Sequence, residues 1–250
     1  MTVKTQIPIF KGRSINKPTI FPYLLDGDTS PDILYYFNSL VDSEYNGNKY
    51  LRVLNLQNIR GIPTITGSNS FIRPIIQDII STSNYRIARP EEIEKTLQER
   101  DTIRIKGNYY IDYGLALDFS KKNHTLALDF FNQLSKDQRD LDRLPAMILD
   151  YGIRNSDIGD YKLAFTNHER TQLRTAKILS QKTDNFSNSD ESLLTLGLPS
   201  KLGSGSRKIY TTFKKEISLD NLGISRLILN RGLVLDSDIG DLADSDSDGR

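Results

Sequence analysis

The sequence predicts an α/β fold, with a mixed sheet and flanking helices over roughly the first 155 residues and a β-rich C-terminal half. Three observations lead there. Apolar residues up to that point switch repeatedly between helical spacing and short strand-like runs. Ala146–Ile153 is an almost unbroken apolar run, as expected of a strand buried on both faces. Beyond it, short β-type runs are separated by stretches rich in Ser, Asn, Asp and Gly.

Taken in order, Pro8, Pro18 and Pro22 keep regular structure short over residues 1–28. Ser30 can cap a helix, Pro31 suits its first turn, and Asp32 complements its positive end. With Ile33, Leu34, Phe37, Leu40 and Val41 on one face, the spacing predicts an amphipathic helix over 31–43. Tyr50–Leu56 is expected as a strand. Phe71, Ile72, Ile75, Ile76, Ile79 and Ile80 share a helical face, with Pro74 early enough to be tolerated. A short strand near Tyr85–Ala88 precedes a helix opened by Pro90, Glu91 and Glu92 and packed through Ile93 and Leu97.

Thr102–Ile105 and Tyr109–Phe119 read as strands around a turn at 106–108. Ala127, Phe130, Phe131 and Leu134 mark the next helix. The pentapeptide Leu-Ala-Leu-Asp-Phe occurs at 115–119 and again at 126–130, and the flanking residues make the first copy a strand and the second a helix. Tyr161–Thr166 and Leu173–Leu179 predict a hairpin across 167–170. Residues 180–207 have the composition of a flexible polar loop or linker. Lys208–Phe213, Arg226–Leu229 and Leu233–Leu235 read as short strands. The expected organisation is an α/β domain over 1–179, the 180–207 linker, a β-rich segment over 208–235 packed on the first domain, and an acidic tail over 236–250.

Composition excludes several classes. There is no cysteine, so disulfide frameworks, thiol chemistry and cysteine-ligated zinc are ruled out. The first ten residues lack the apolar core of a secretory signal, and no apolar run reaches membrane-spanning length. The expected location is cytoplasmic, with no membrane partner. The chain is formally +1, but residues 236–250 hold six Asp and only Arg250, a net −5, which leaves +6 on residues 1–235. Such a body suits acidic partners, nucleic acid among them.

Three constellations could carry function. Asp244, Asp246 and Asp248, followed by Gly249, occupy positions one, three, five and six of a calcium loop. They resemble the first half of EF-hand and dockerin-type loops over six residues, which implies Ca²⁺ as a ligand. Asp236, Asp238 or Asp241 could complete the shell, and the bland alternative is a solvated acidic tail. Asp150, at the end of an apolar strand, followed by Asp160-Tyr161-Lys162, resembles the spacing of PD-(D/E)xK nucleases. That resemblance implies two carboxylates holding Mg²⁺ and a lysine assisting the attacking water. No proline precedes Asp150, which departs from the pattern.

Basic clusters with nearby tyrosines form the third constellation. Arg104, Lys106, Tyr109 and Tyr110, with Arg207 and Lys208, suit phosphate contacts and base stacking. The recurring tripeptide Asp112-Tyr113-Gly114 and Asp150-Tyr151-Gly152 reads as a shared strand-to-loop ending. His124 and His168 lack the spacing of a metal site. The expected function is a non-catalytic binding or interaction module whose partner is nucleic acid or another protein. The alternatives are a Mg²⁺-dependent nuclease and a calcium-stabilised structural module.

Overall fold

The computed structural model describes residues 30–59, 62–82, 85–99, 110–211 and 216–244. In chain order the elements are α1 (Ser30–Glu44), β1 (Asn55–Ile59), β2 (Ile62–Thr66), α2 (Ile72–Ser81), α3 (Pro90–Glu99), β3 (Ile111–Asp118) and α4 (His124–Gln133). There follow β4 (Ala146–Leu149), β5 (Gly152–Asn155), β6 (Leu163–Thr166), β7 (Gln172–Thr175), β8 (Asp184–Phe186), α5 (Ser192–Leu196), β9 (Arg207–Tyr210), β10 (Gly223–Asn230) and β11 (Val234–Ile239).

A seven-stranded sheet in the order β7-β4-β3-β10-β11-β9-β8 organises the chain, and β1-β2 and β5-β6 form two small ribbons. The expected mixed α/β character is present. All pairs in the large sheet are antiparallel except β11 with β9. Its central strands are apolar on both faces because both faces are covered. On β4, Ala146 and Ile148 enter one core while Met147 and Leu149 enter the other. The first core takes the apolar faces of α1, α2 and α4, and the second takes Ile93 of α3 and Leu193 of α5. Fully burying one Leu, Ile or Phe stabilises by about 1.5–3 kcal/mol, so these two layers supply the main driving force.

The predicted helices at 31–43, after Phe71, at Pro90 and around Ala127 correspond to α1 to α4. Both copies of Leu-Ala-Leu-Asp-Phe behave as expected, the first largely in β3 and the second in α4. The Arg226–Leu229 and Leu233–Leu235 strands form the β10–β11 hairpin. The Lys208–Phe213 strand corresponds to β9, and the strand near Tyr85–Ala88 shrinks to a single bridge at Ile87. Thr102–Ile105 lies outside the described residues.

Four expectations are corrected. Residues 49–53 form turns rather than strand, because Asn48 organises them: its carbonyl accepts from Leu51 N–H, and its side chain accepts from Tyr50 N–H at 2.9 Å. Ala146–Ile153 is not one strand. Asp150 has φ 52°, and this left-handed residue ends β4 and redirects the chain into β5 of a different sheet. The hairpin across 167–170 does not form either, since β6 pairs with β5 while β7 pairs with β4. The break at Asp150 is the cause: β5 leaves the large sheet and takes β6 with it. The 180–207 segment, expected as a flexible loop or linker, carries β8 and α5, with Phe186, Leu193 and Leu198 buried in the second core.

The register of β3 against β10 shifts by one residue at Tyr113, since Leu227 faces Gly114 and Ile228 faces Asp112. Gly114 is required there. Its φ is 146°, and a Cβ would lie 2.4 Å from the Ile148 carbonyl oxygen of the adjacent strand. Gly114→Ala is expected to lower unfolding stability by roughly 2–3 kcal/mol, read from the urea midpoint at unchanged m-value. An unchanged midpoint would show that β3 and β4 are not this close.

Candidate binding recess

Two buried ion pairs flank the bulge, one containing Asp112 of β3 and the other hydrogen-bonded to the next residue, Tyr113. Asp112 accepts from Arg226 Nη2 at 2.9 Å and Nε at 3.3 Å, with the two side chains 5% and 1% exposed. Arg226 Nη1 donates to the Asp244 carbonyl at 2.6 Å, and its guanidinium lies 4.8 Å from the Tyr110 ring centroid. Burial lowers the proton affinity of Arg226, but Asp112 and Tyr110 together more than offset this and hold the guanidinium charged. From the next residue, the Tyr113 hydroxyl donates to Glu94 Oε1 at 2.8 Å. Glu94 also takes two hydrogen bonds from Arg207, at 2.6 and 2.8 Å. Burial pushes the Tyr113 hydroxyl well up.

Arg73 of α2 joins the first cluster. The entry to α2 is set by Asn69, whose side-chain oxygen accepts from Phe71 N–H at 3.0 Å and Ile72 N–H at 3.2 Å. Arg73 Nη1 donates to the Asp112 carbonyl. Its Nη2 is buried without a hydrogen-bond partner, and among the described residues Arg73 makes no ion pair. The residue is only 7% exposed, so this is a guanidinium withdrawn from water without a counter-charge in contact.

Arg73 borders a small recess with room for about one water molecule, lined also by Pro74, Gln77, Ile87, Asp150 and Tyr151. Gln77 is oriented by its carbonyl oxygen, which accepts from Ile87 N–H at 2.7 Å and leaves the amide nitrogen as the donor end. Tyr151 donates to the Ser70 carbonyl at 3.0 Å. Asp150 is approached by Arg89 Nη2 at 3.2 Å and Gln172 Nε2 at 3.4 Å. Arg89 Nε is a second buried donor without a partner. Nearby, Arg174 grips Glu91 at 2.9 and 3.0 Å, and Arg86 pairs with Glu92. Burial raises the Glu92 carboxyl, but Arg86 and the Arg89 N–H outweigh it and the net shift is downward. The recess lining thus combines Arg73 and Gln77 of α2 with the Asp150 carboxylate.

Sequence reasoning located part of this. Asp150 is at the recess, but Asp160 and Lys162 are not. The register Gly152↔Thr166 through Asn155↔Leu163 puts Asp150 before the hairpin and Asp160 in its distal turn, with roughly 10 Å of strand between them. Lys162 is exposed, with Nζ 3.4 Å from Asp157. The structure therefore does not assemble the Asp150, Asp160 and Lys162 constellation. Arg207 and Tyr110, expected on a nucleic-acid surface, are 4% and 6% exposed. Their polar groups are committed inside, since Tyr110 donates to the Ser68 carbonyl at 2.9 Å. Lys208 is half-buried, with its ammonium 4.8 Å over the Tyr210 ring. Arg104, Lys106 and Tyr109 lie outside the described residues, as do Asp246 and Asp248.

Of the acidic segment, Asp236 and Asp238 belong to β11, Leu242 is fully buried, and Ser70 N–H donates to the Leu242 carbonyl. Among the described residues no group of three or more His, Asp or Glu gathers as for a metal ion. Arg73 and Gln77 of α2, and Arg89 just before α3, were missed because an Arg or Gln carries no sequence signal of burial. The recurring Asp-Tyr-Gly tripeptide was a usable clue. β3 and β4 are antiparallel neighbours, so Asp112 and Asp150 lie at the same end of the sheet.

No protein-family model, curated protein or solved structure matches the chain. Among the described residues no helix is long and apolar enough to cross a membrane.

Arg226→Leu leaves Asp112 buried and unpaired, and should cost roughly 3–5 kcal/mol by urea denaturation. Adding Asp112→Leu should recover part of that, giving a non-additive double-mutant cycle. Additive losses would refute a mutual interaction. Asp236 gives a pH test. Burial first, then the Asp238 carboxylate, hold its carboxyl above the ordinary range, against the Asp238 N–H and Lys122. A raised folded pKa contributes stability at low pH that is lost as pH rises through the folded value. Asp236→Asn should therefore raise the melting temperature near pH 7 and leave it unchanged near pH 3. A gain of equal size at both pH values would exclude the ionisation as its source.

Proposed function

We propose that the chain is a non-catalytic binding module, and that the recess between α2 and the end of β4 receives part of its ligand. The observation that supports this reading is the buried Arg73 guanidinium, with one N–H unsatisfied, beside a recess also lined by Asp150. Leaving a charged donor buried and unpaired costs on the order of 1–3 kcal/mol or more, and a guest that supplies an acceptor recovers it. Sites of this kind, concave with few convergent polar groups, are the usual places for ligands. Nη2 is itself shielded, so an acceptor reaches it as the lining side chains yield.

The recess has room for about one water molecule, so it takes a single polar atom of a ligand rather than a nucleotide. The remainder of the ligand, whether a small molecule or a side chain of a protein partner, lies outside it. A binding role fits better than Mg²⁺-dependent cleavage because Asp150 is engaged by Arg89 and Gln172, while Asp160 and Lys162 sit at the far end of the hairpin.

The test is amide chemical-shift mapping of the full chain with sodium acetate, sodium phosphate, acetamide and methylguanidinium, each at millimolar concentration. At least one probe is expected to move the Gln77, Ile87 and Tyr151 amides in a saturable way. Probe-independent or non-saturable shifts for all four would reject the recess as a ligand site.

A further inference from the structure

We infer that residues 240–244 are a releasable strap seated in a peptide-recognition groove, which when open takes an acidic peptide anchored by one leucine. This does not depend on the recess beside Arg73. The pairing of β11 with β10 ends at Ile239, opposite Arg226. Beyond that point the body of the protein grips the chain by its backbone. Asn123 Nδ2 donates to the Gly240 carbonyl at 2.6 Å, and Ser70 N–H to that of Leu242 at 3.2 Å. Asn69 Nδ2 donates to the Ala243 carbonyl at 3.4 Å, and Arg226 Nη1 to that of Asp244 at 2.6 Å. Leu242 N–H in turn donates to the Tyr161 hydroxyl at 3.4 Å. Main-chain hydrogen bonds for affinity, with a side-chain socket for specificity, are the usual terms of peptide recognition.

The groups of the groove are fixed from the body side. The Asn69 oxygen accepts from Phe71 and Ile72 N–H, and its amide nitrogen also reaches the Tyr50 carbonyl at 2.8 Å. Asn123 Nδ2 also reaches the Ile224 carbonyl at 3.0 Å, Asp112 holds Arg226, and the Tyr161 ring lies 5.0 Å from that of Phe71. None of these contacts involves the strap, so the donors stay aimed when it leaves and rebinding costs little ordering. Leu242 is fully buried in the first core, while Asp241 and Asp244 on either side of it are exposed. The socket therefore selects leucine. The flanking acids suit the Tyr161 hydroxyl, which donates to Asp241 at 3.4 Å, and Lys122, which pairs with Asp238 just upstream. One buried side chain and a few hydrogen bonds hold the strap, whereas β10 is paired on both sides, so the strap opens without the sheet. A tethered segment competes at an effective concentration in the millimolar range, and so keeps the groove closed to a dilute peptide.

The probe is a fluorescent, amidated heptapeptide with the sequence of residues 238–244, titrated into the full chain and followed by anisotropy. Leu242→Ala weakens the strap in cis and leaves the groove intact. It should bind the peptide at least about tenfold more tightly than the unaltered chain does. The same peptide with alanine at the leucine position should not bind either chain. The melting temperature of Leu242→Ala establishes that it folds. Hydrogen exchange in the unaltered chain is the second measurement. The Leu242 and Ser70 amides should exchange through openings at least about tenfold more frequent than those of β10. No saturable binding to folded Leu242→Ala, or equal binding to both chains, overturns the inference. So does protection of Leu242 and Ser70 equal to that of β10, whether or not the variant folds.

Discussion

The Arg226–Asp112 pair is the interaction on which the arrangement of this molecule turns. It lies between β3 and β10, two central strands of the large sheet, and both side chains are almost fully buried. Removing two charges from water is costly, and the attraction between them offsets that only if the remaining hydrogen-bonding capacity is also used. Here it is. Arg226 reaches the Asp244 carbonyl, Ser68 donates to Asp112 at 3.3 Å, and Arg73 donates to the Asp112 carbonyl. One ion pair therefore ties together the sheet, the loop before α2, α2 itself and the segment after β11. A pair like this contributes more to specifying one register than to net stability.

The second pair, Arg207 with Glu94, stands behind the first on the other face of the sheet. It fastens α3 to β9, and its partner Tyr113 is the residue at which the β3 register slips. The bulge lets neighbouring residues serve opposite cores with polar groups in both. Gly114 follows immediately, where only a residue without a side chain lets β3 approach Ile148. Bulge, glycine and two ion pairs form one solution to the problem of placing charged groups in a sheet covered on both sides.

The same cluster explains the recess. Arg73 spends one nitrogen on the Asp112 backbone and so takes part in the buried network without sharing its carboxylate, which already belongs to Arg226. Two guanidinium groups around one aspartate leave an excess positive charge, and that excess borders the cavity beside Asp150. The recess is thus a by-product of the core: the ion pair that orders the sheet leaves Arg73 unmatched.

Much of the helical scaffold was legible locally. Ile33, Phe37 and Val41 on α1, the isoleucines of α2, and Phe130 and Phe131 of α4 are spaced as the core requires, because burial of one face is a periodic demand that the residue order records. The central strands were also visible as apolar runs. The sequence alone therefore determined that the chain forms helices packed on a substantial sheet and that it lacks thiol chemistry. Which strand pairs with which was decided by tertiary structure, because pairing depends on where the backbone turns. A single positive φ at Asp150 splits one apolar run between two sheets and undoes the expected 161–179 hairpin. Tertiary structure likewise decided that Arg207 and Tyr110 are interior and that Arg73 is unpaired. An arginine reads the same in sequence whether it meets solvent or a buried carboxylate, and only the packing of distant elements supplies or withholds its partner.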